Sequence, residues 1–410
     1  MTQELRRTLG VFDAVVIGLG SMVGAGIFAA LGPAAEAAGA GLLPALGVAA
    51  VVAYCNAMAS ARLAARYPAS GGTYVYGRER LGSFWGHLAG WAFVVGKTAS
   101  CAAMALTVGA YVWPAHAHAV AVAAVVVLTA VNYGGVQKSA LLTRVIVAVV
   151  LAVLAAVVVV TAGAGQVDRL GLAGDVPAGG VLQAAGLLFF AFAGYARIAT
   201  LGEEVRDPER TIPRAVPLAL GIALVVYAAV AVCVLGVLGP AGLAASPAPL
   251  ADAARAADAN WLVPVVTVGA AVAALGSLLS LVLGVSRTTL AMARDGYLPA
   301  PLAVVHPRFR VPHRAELAVG AVVAVVAATA DVRGAIGFSS FGVLVYYAIA
   351  NASAWTLGRR ERPLALLGLV GCAALAFSLP PAAVVAGTGV LAVGVVAYAV
   401  SRGRPASPRS

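Results

Sequence analysis

Gly18-Leu19-Gly20-Ser21-Met22-Val23-Gly24-Ala25-Gly26-Ile27-Phe28 is the stretch in which glycine interrupts the first long apolar segment of the chain. Glycine inside a helix costs about 1 kcal/mol relative to alanine, and it readily adopts backbone conformations that other residues avoid. At membrane depth, irregular backbone persists only where protein or a water-filled cavity satisfies its polar groups. The stretch is therefore either a face for close helix packing or an unwound binding site.

The composition is that of a polytopic membrane protein. The chain of 410 residues is 62% hydrophobic and only 10% charged, whereas soluble domains are about 25% charged. Apolar runs of about 20 residues are long enough to span a bilayer. Such runs predict twelve transmembrane helices, which begin near positions 11, 41, 84, 117, 141, 181, 215, 261, 314, 334, 363 and 382.

The distribution of basic residues orients the chain. The net charge is +11, and most of the 27 lysines and arginines fall in alternate connections between the predicted spans. Because basic residues are enriched in cytoplasmic loops, this asymmetry predicts that both termini are cytoplasmic. The excess charge then serves orientation and contact with anionic membrane lipid, and no nucleic-acid partner is expected. The abundance of arginine, alanine and valine favours a bacterial origin, and hence the bacterial inner membrane.

A second interruption lies in the sixth predicted span, at 189–200, where Gly194 and Arg197 fall near the middle of an apolar run. Interrupted spans at corresponding positions of two five-span halves are typical of transporters built from inverted repeats. Free amides and the positive end of a half-helix bind an anionic group, while unwound carbonyls accept hydrogen bonds from an ammonium. Such a site suits a zwitterionic amino acid.

Five motifs occur in order at the ends of the predicted spans. They are Gly-Ser-Met-Val-Gly-Ala-Gly-Ile-Phe at 20–28, Pro-Ala-Ser-Gly-Gly-Thr-Tyr-Val-Tyr at 68–76, Phe-Ala-Phe-Ala-Gly-Tyr at 190–195, Glu-Glu-Val-Arg-Asp-Pro-Glu-Arg-Thr-Ile-Pro-Arg at 203–214 and Ala-Met-Ala-Arg-Asp-Gly-Tyr-Leu-Pro at 291–299. In these motifs the chain resembles the amino acid–polyamine–organocation (APC) superfamily of permeases.

The resemblance implies an all-α, LeuT-like fold in a single transmembrane domain. Its two inverted repeats of five spans, with helices 1 and 6 broken, would cover 11–163 and 181–358. Two peripheral helices would follow at 363–401, and then a basic cytoplasmic tail at 402–410.

The resemblance also implies a substrate site formed by the two breaks and span 3. Its amides at 24–26 would bind the substrate carboxylate, its carbonyls at 21–23 would face the ammonium, and Phe190 would cover the substrate. The alternatives are a small-residue packing face at 24–26 and a core position for Phe190. The candidate substrate-binding residues are Ser21, Met22, Val23, Gly24, Ala25, Gly26, Lys97, Cys101, Met104, Phe190, Ala191 and Ala193.

Two cations within the spans are candidates for coupling. Ionisable residues inside a membrane are functional candidates by default, and Lys97 could exchange a proton during transport. Arg197 could attract a carboxylate, replace a cation or pair with Glu203 or Glu204; the structural alternative is that it extends towards water. Sodium coupling would instead use the hydroxyls of Ser277 and Ser280.

The loop after span 6 mixes acids with arginines, and it predicts an inner gate formed by Glu203, Glu204 and Arg206. The carboxylates Asp13, Glu36 and Glu316 fall near predicted span ends, so a carboxylate proton relay is not expected. The four cysteines lie far apart within spans, which predicts no disulfide, metal site or cofactor.

These patterns predict a secondary active transporter for a neutral or aliphatic amino acid that works by alternating access and is coupled to protons, with sodium as the alternative ion. An exporter or exchanger of the same fold is the first alternative. A membrane-embedded enzyme would need a catalytic constellation at membrane depth, which the sequence lacks. The sequence is compatible with a monomer or a homodimer.

Overall fold

A computed structural model describes residues 9–67, 71–135, 140–170, 177–199 and 204–402 of the chain, and these residues form a bundle of α-helices. The helices are α1 (Val11–Met22), α2 (Ala25–Ala29), α3 (Leu31–Ala38), α4 (Leu42–Arg66), α5 (Thr73–Leu81), α6 (Ser83–Val112), α7 (Ala117–Tyr133), α8 (Ala140–Ala162), α9 (Ala178–Phe192), α10 (Ala196–Ala199), α11 (Pro208–Ala245), α12 (Pro249–Ala256), α13 (Leu262–Arg294), α14 (His313–Thr329), α15 (Val332–Trp355), α16 (Arg362–Ser378) and α17 (Pro381–Arg402).

Ten segments of the described residues are long and apolar enough to cross a membrane. They are Val11–Ala29, Leu31–Arg66, Ser83–Val112, Pro114–Tyr133, Leu141–Ala162, Ala178–Ile198, Pro208–Ala245, Leu262–Arg294, Val332–Trp355 and Pro381–Ser401. Helices α14 and α16 have 17 residues each. The all-helical membrane architecture is thus confirmed, with ten segments rather than twelve meeting this criterion.

The first span is broken where the glycine pattern predicts. Helix α1 ends at Met22, and Gly24, with φ −100° and ψ −143°, leaves the helical region before α2 begins. Ala30 keeps helical angles, so α2 continues directly into α3. The predicted unwinding of span 1 is therefore present over Val23 and Gly24.

The sixth span is also interrupted. Helix α9 ends at Phe192, a 3₁₀ turn covers Ala193–Tyr195, and α10 begins at Ala196. A 3₁₀ segment within a span changes the backbone hydrogen-bond pattern. The two interruptions thus occur in the segments where the sequence predicts them.

Small residues let the central helices approach closely. Helices α6 and α15 pack against each other at Gly96 and Gly342, where a Cβ atom on Gly342 would lie 2.9 Å from the Cα atom of Gly96. Close approach through small residues is a common way for helices to associate in lipid. Helices α6 and α15 are mostly buried, whereas few residues of α7 and α17 are fully buried, so these two helices lie on the outside of the bundle.

Candidate functional site

The two helix interruptions lie against each other. A Cβ atom on Gly194 would collide with the carbonyl of Ser21 and would lie 2.5 Å from the amide nitrogen of Met22. A Cβ atom on Gly26 would lie 2.5 Å from the Cα atom of Ala191. Both contacts require glycine, since no larger residue fits without a shift of the backbone. The breaks therefore form one continuous region of irregular backbone inside the bundle.

Tyr227 on α11 joins the two breaks. Its hydroxyl lies 2.6 Å from the carbonyl oxygen of Met22 and 3.1 Å from that of Ala191, so it donates towards both. Buried carbonyls that lose their helical partner need another donor, and this fully buried tyrosine provides one. Tyr227 was not among the residues predicted from sequence, because it lies in a regular part of α11, twelve residues before the kink of that helix at Gly239.

Lys97 reaches the second break. Its Nζ atom donates to the carbonyl of Ala193 over 3.3 Å, and the hydroxyl of Tyr347 donates to the same oxygen, also over 3.3 Å. The lysine is 7% exposed. No carboxylate of the described residues lies within ion-pair distance of it. The structure therefore brings Lys97, predicted on span 3, to the unwound backbone of span 6.

The three phenylalanines of span 6 differ in their surroundings. Phe189 and Phe192 are 0% exposed, and their rings pack on Tyr347 and Tyr227 with centroids 5.8 Å and 5.1 Å apart. Phe190 is 8% exposed. Two of the rings are thus core residues, while the residue predicted as the lid keeps some accessible surface.

The remaining predicted binding residues lie in or near the breaks. The hydroxyl of Ser21 donates to the carbonyl of Ile17 over 3.0 Å, so this side chain is engaged by its own helix. The others are buried within the bundle: Met22, Val23, Gly24, Ala25, Gly26, Cys101, Met104, Ala191 and Ala193.

Ser277 on α13 faces the first break. A Cβ atom on Gly24 would overlap its hydroxyl oxygen, so the two residues are in direct contact. The Ser277 hydroxyl is buried and has no hydrogen-bond partner among the described residues. Ser280 is bonded instead to the carbonyl of Gly276, over 3.1 Å. Of the two serines predicted for sodium, the structure brings Ser277 to the break.

Arg197 follows the second break and is exposed. Glu204 and Arg287 are the charged groups that act on it electrostatically. The proximity of Glu204 agrees with the predicted partner. Arg287, on α13, is exposed as well. The two arginines therefore face a solvent-accessible region next to the site.

The predicted inner gate makes backbone contacts. The amide of Leu9 donates to the carbonyl of Glu204 over 3.1 Å, and the amide of Arg206 donates to the carbonyl of Leu9 over 2.9 Å. Glu203 lies outside the described residues. Near the same end of α4, Arg62 pairs with Glu361 over 3.3 Å. The segment before α1 is thus held to the segment before α11 by backbone hydrogen bonds.

The opposite end of the site is closely packed. The hydroxyl of Tyr111 donates to the carbonyl of Phe28 over 2.9 Å, and the two rings meet edge to face at 5.8 Å. The amide of Leu250, on α12, donates to the same hydroxyl over 3.4 Å. These three residues are buried, whereas Arg197 at the other end is exposed. The site is therefore more accessible from the face on which α1 begins.

Glu316, which the sequence places near a span end, has unusual surroundings. It lies in the first turn of α14. It is 0% exposed, and neither carboxyl oxygen has a hydrogen-bond partner among the described residues. An acid in a first helical turn is usually explained by the helix dipole, which does not account for this degree of burial.

Comparison with known proteins agrees with this architecture. A model of the family described as "Amino acid permease" matches residues 9–408. The chain is 75% identical to an "Uncharacterized transporter" of Mycobacterium tuberculosis, over 97% of this chain and 92% of the relative. It is 25% identical to the "Branched-chain amino acid permease BcaP" of Bacillus subtilis, over 88% of this chain and 83% of that protein. It is 28% identical to the vacuolar "Cationic amino acid transporter 4" of Arabidopsis thaliana, over 84% of this chain and 62% of that protein. The chain therefore belongs to the amino acid permease family of the APC superfamily, and it is a multi-pass membrane transporter and not an enzyme.

Proposed function

We propose that the protein is a secondary active transporter that moves a neutral, aliphatic amino acid by alternating access. The observation that carries this proposal is the contact between the two interrupted helices, with Gly26 against Ala191 and Gly194 against Ser21. Irregular backbone inside a bundle is typical of midplane substrate sites in transporters with inverted repeats. We propose the corresponding LeuT-like arrangement, in which α14 and α16 complete twelve spans.

The amides at the start of α2 are the proposed site for the substrate carboxylate. Ala25 and Gly26 are the first residues of a helical run that continues through α3, and free amides at such a start attract an anion. The Ser277 hydroxyl, in contact with Gly24, is a further donor for the carboxylate. This geometry supports binding of the carboxylate where span 1 resumes.

The substrate ammonium is proposed to meet the carbonyl of Ala191. A carbonyl oxygen has two lone pairs, so this oxygen can accept an ammonium proton in addition to the hydroxyl of Tyr227. The carbonyl of Met22 already accepts from the Tyr227 hydroxyl and from the amide of Gly24, the latter over 2.7 Å. The carbonyl of Ala193 is a poorer acceptor for the substrate, because Lys97 and Tyr347 already donate to it.

Lys97 favours a neutral substrate side chain. Like charges in a buried site repel each other, and Met22, Met104 and Phe190 are apolar. The relatives include a branched-chain amino acid permease and a cationic amino acid transporter. The buried positive charge supports the branched-chain class for this chain.

We propose protons as the coupling ion and the bacterial cytoplasmic membrane as the location, with both termini cytoplasmic. The orientation is supported by the distribution of basic residues. Sodium is the alternative ion, favoured by the Ser277 hydroxyl beside the first break.

Flux measurements in proteoliposomes test the proposal. The panel consists of leucine, isoleucine, valine, methionine, arginine and lysine, each with an imposed proton or sodium gradient. We expect the aliphatic amino acids to be taken up and the proton gradient to stimulate uptake. No flux of any member, or uptake of arginine and lysine in preference to leucine, would contradict the proposal.

A matched pair of variants tests the site. Gly26→Val should abolish leucine uptake, because its Cβ atom would lie 2.5 Å from the Cα atom of Ala191. Gly47→Ala is the control, since a Cβ atom there meets nothing within 4 Å. Both variants should reach the membrane in similar amounts, as measured by immunoblotting.

A further inference from the structure

Glu316 is buried at a junction of three helices. Helix α14, which carries it, packs against α7 and α13. The residue is fully buried, and both carboxyl oxygens lack a hydrogen-bond partner among the described residues. No side chain caps the start of α14, whose N-cap is Pro312, so Glu316 does not serve as a capping group.

A polar group of α7 lies one turn away from Glu316. Gly320 lies one turn after Glu316, and a Cβ atom on Gly320 would lie 2.7 Å from the hydroxyl oxygen of Thr129. That hydroxyl is itself buried without a hydrogen-bond partner among the described residues. A carboxylate and a hydroxyl thus share one interface, and neither makes a hydrogen bond to the described protein.

Charged and titratable groups approach the junction from each neighbouring element. Arg287, from α13, acts electrostatically on Glu316 without forming an ion pair with it. Tyr133 comes from α7, and His306 comes from the segment before α14. His313 and Arg314 belong to α14 itself.

Helix α6 also packs against α14. Three of its titratable side chains are hydrogen-bonded to backbone carbonyls elsewhere: His87 to Gly394, Lys97 to Ala193 and Tyr111 to Phe28. The fourth, Cys101, acts electrostatically on Lys97.

An ionised carboxylate is unstable in these surroundings. Burying an uncompensated charge costs several kcal/mol, whereas burying a neutral carboxyl group costs much less. Arg287, the cation that could compensate the charge, is exposed and forms no ion pair with Glu316 in this conformation. The geometry therefore favours the protonated carboxyl group here, and the ionised group only in a conformation that brings Arg287 closer.

We propose that Glu316 is the proton-binding residue of the transport cycle. In the conformation described here it holds the proton. When α13 and α14 move relative to each other, the O–H bond breaks, the proton passes to water at the exposed Arg287, and the guanidinium compensates the charge of the carboxylate. This inference rests on the proposed proton-coupled transport of an amino acid.

Helix α13 links this proton site to the substrate site. It carries Ser277, which contacts Gly24 in the first break, and Arg287, which acts electrostatically on both Arg197 and Glu316. A shift of α13 that follows substrate binding would change the distance between Arg287 and Glu316. Release of the proton and movement of the site are thereby coupled.

Infrared spectroscopy tests the proton site without any substrate. The purified full-length protein is titrated from neutral to alkaline pH, and the C=O stretching band of protonated carboxyl groups is followed. We expect the wild type and the control Glu36→Gln to lose a band on alkalinisation. Glu36 is exposed and pairs with Arg333 at the opposite face. Glu316→Gln should lack this band; a band that persists in Glu316→Gln would overturn the proposal.

Leucine flux tests its role in coupling. An imposed inward proton gradient should stimulate leucine uptake by the wild type and by Glu36→Gln. For Glu316→Gln the ratio of uptake with and without the gradient should fall to unity, while leucine counterflow continues. Undiminished stimulation in Glu316→Gln would overturn the proposal.

Two further outcomes are distinguishable. If gel filtration shows that Glu316→Gln does not fold, Glu316→Asp replaces it. We then expect a shift in the pH at which stimulation of leucine uptake by the proton gradient is half-maximal. An unshifted midpoint would overturn the proposal. If the wild type transports no leucine, the proposed function fails, and the infrared titration still decides whether Glu316 binds the proton.

Discussion

The ammonium of Lys97 lies at the unwound backbone of span 6. Its ammonium and the hydroxyl of Tyr347 both donate to the carbonyl of Ala193. A carbonyl oxygen has two lone pairs, so the protein itself supplies both donors. A cationic substrate side chain that entered this region would meet a positive charge instead of an acceptor. The proposed preference for neutral substrates rests on this charge.

We predict that Lys97→Met relaxes the selection against cationic amino acids. Removal of the buried charge removes a like-charge repulsion of at least one to two kcal/mol, so the ratio of arginine to leucine uptake should rise by roughly tenfold. Uptake from equimolar mixtures in proteoliposomes measures this ratio. Lys97→Arg, which keeps the charge, is the control. An unchanged ratio in Lys97→Met would show that the lysine does not govern the choice.

At the scale of helices, the sequence predicts the interruptions and one of their neighbours. The glycines of span 1 and Gly194 indicate irregular backbone through the local conformational preference of glycine. Ser277 was predicted as a hydroxyl ligand for sodium, whereas Tyr227 was not predicted, because a contact between residues so far apart in sequence leaves no local pattern. The sequence places Glu316 near a span end, but its place in a first helical turn says nothing about how closely the neighbouring helices bury it.

The short helix α5 connects three parts of the bundle near one membrane face. The amide of Thr73 donates to the hydroxyl of Tyr346 on α15, over 3.0 Å. The hydroxyl of Tyr74 donates to Asp295 at the end of α13, and Arg78 pairs with the same carboxylate over 3.0 Å. Burial, and secondly the hydrogen bond to Asp295, raises the pKa of Tyr74, so its phenol remains a neutral donor as the pH rises.

We predict that Tyr74→Phe destabilises the protein more than Arg78→Ala. A hydrogen bond from a buried hydroxyl to a charged group contributes about 1.5 to 3 kcal/mol. The Arg78 side chain is 37% exposed, and exposed ion pairs contribute about 0 to 1 kcal/mol. Thermal unfolding in detergent should therefore show the larger drop for Tyr74→Phe. Tyr54→Phe, on the exposed face of α4, is the control. Equal drops for Tyr74→Phe and Arg78→Ala would contradict this ranking.

At the scale of the whole molecule, the two ends of the site differ in how deeply their residues are buried. Phe28, Tyr111 and Leu250 fill one end and are buried, while Arg197 and Arg287 are exposed at the other. Alternating access requires that only one end is open at a time. With the orientation proposed from the basic residues, the end that carries Arg197 would face the cytoplasm. We therefore propose that the conformation described here is the inward-facing state.

We predict that Arg197→Cys is modified by a membrane-impermeant maleimide from the cytoplasmic face only. Inverted vesicles should label rapidly and right-side-out vesicles slowly, because reagent from outside must pass the packed Phe28 end. Three native cysteines, Cys55, Cys101 and Cys372, are buried and should contribute little background, and Cys233, which is partly exposed, is replaced by serine. Glu36→Cys is the control of opposite orientation, since the Glu36 side chain is 61% exposed beyond the closed end. It should label from the outer face. If Arg197→Cys labels only from the outer face and Glu36→Cys only from the cytoplasmic face, the orientation is wrong. If both variants label from the same face, the two residues do not lie at opposite ends of the site. Labelling of Arg197→Cys from both faces at equal rates would contradict a closed outer end.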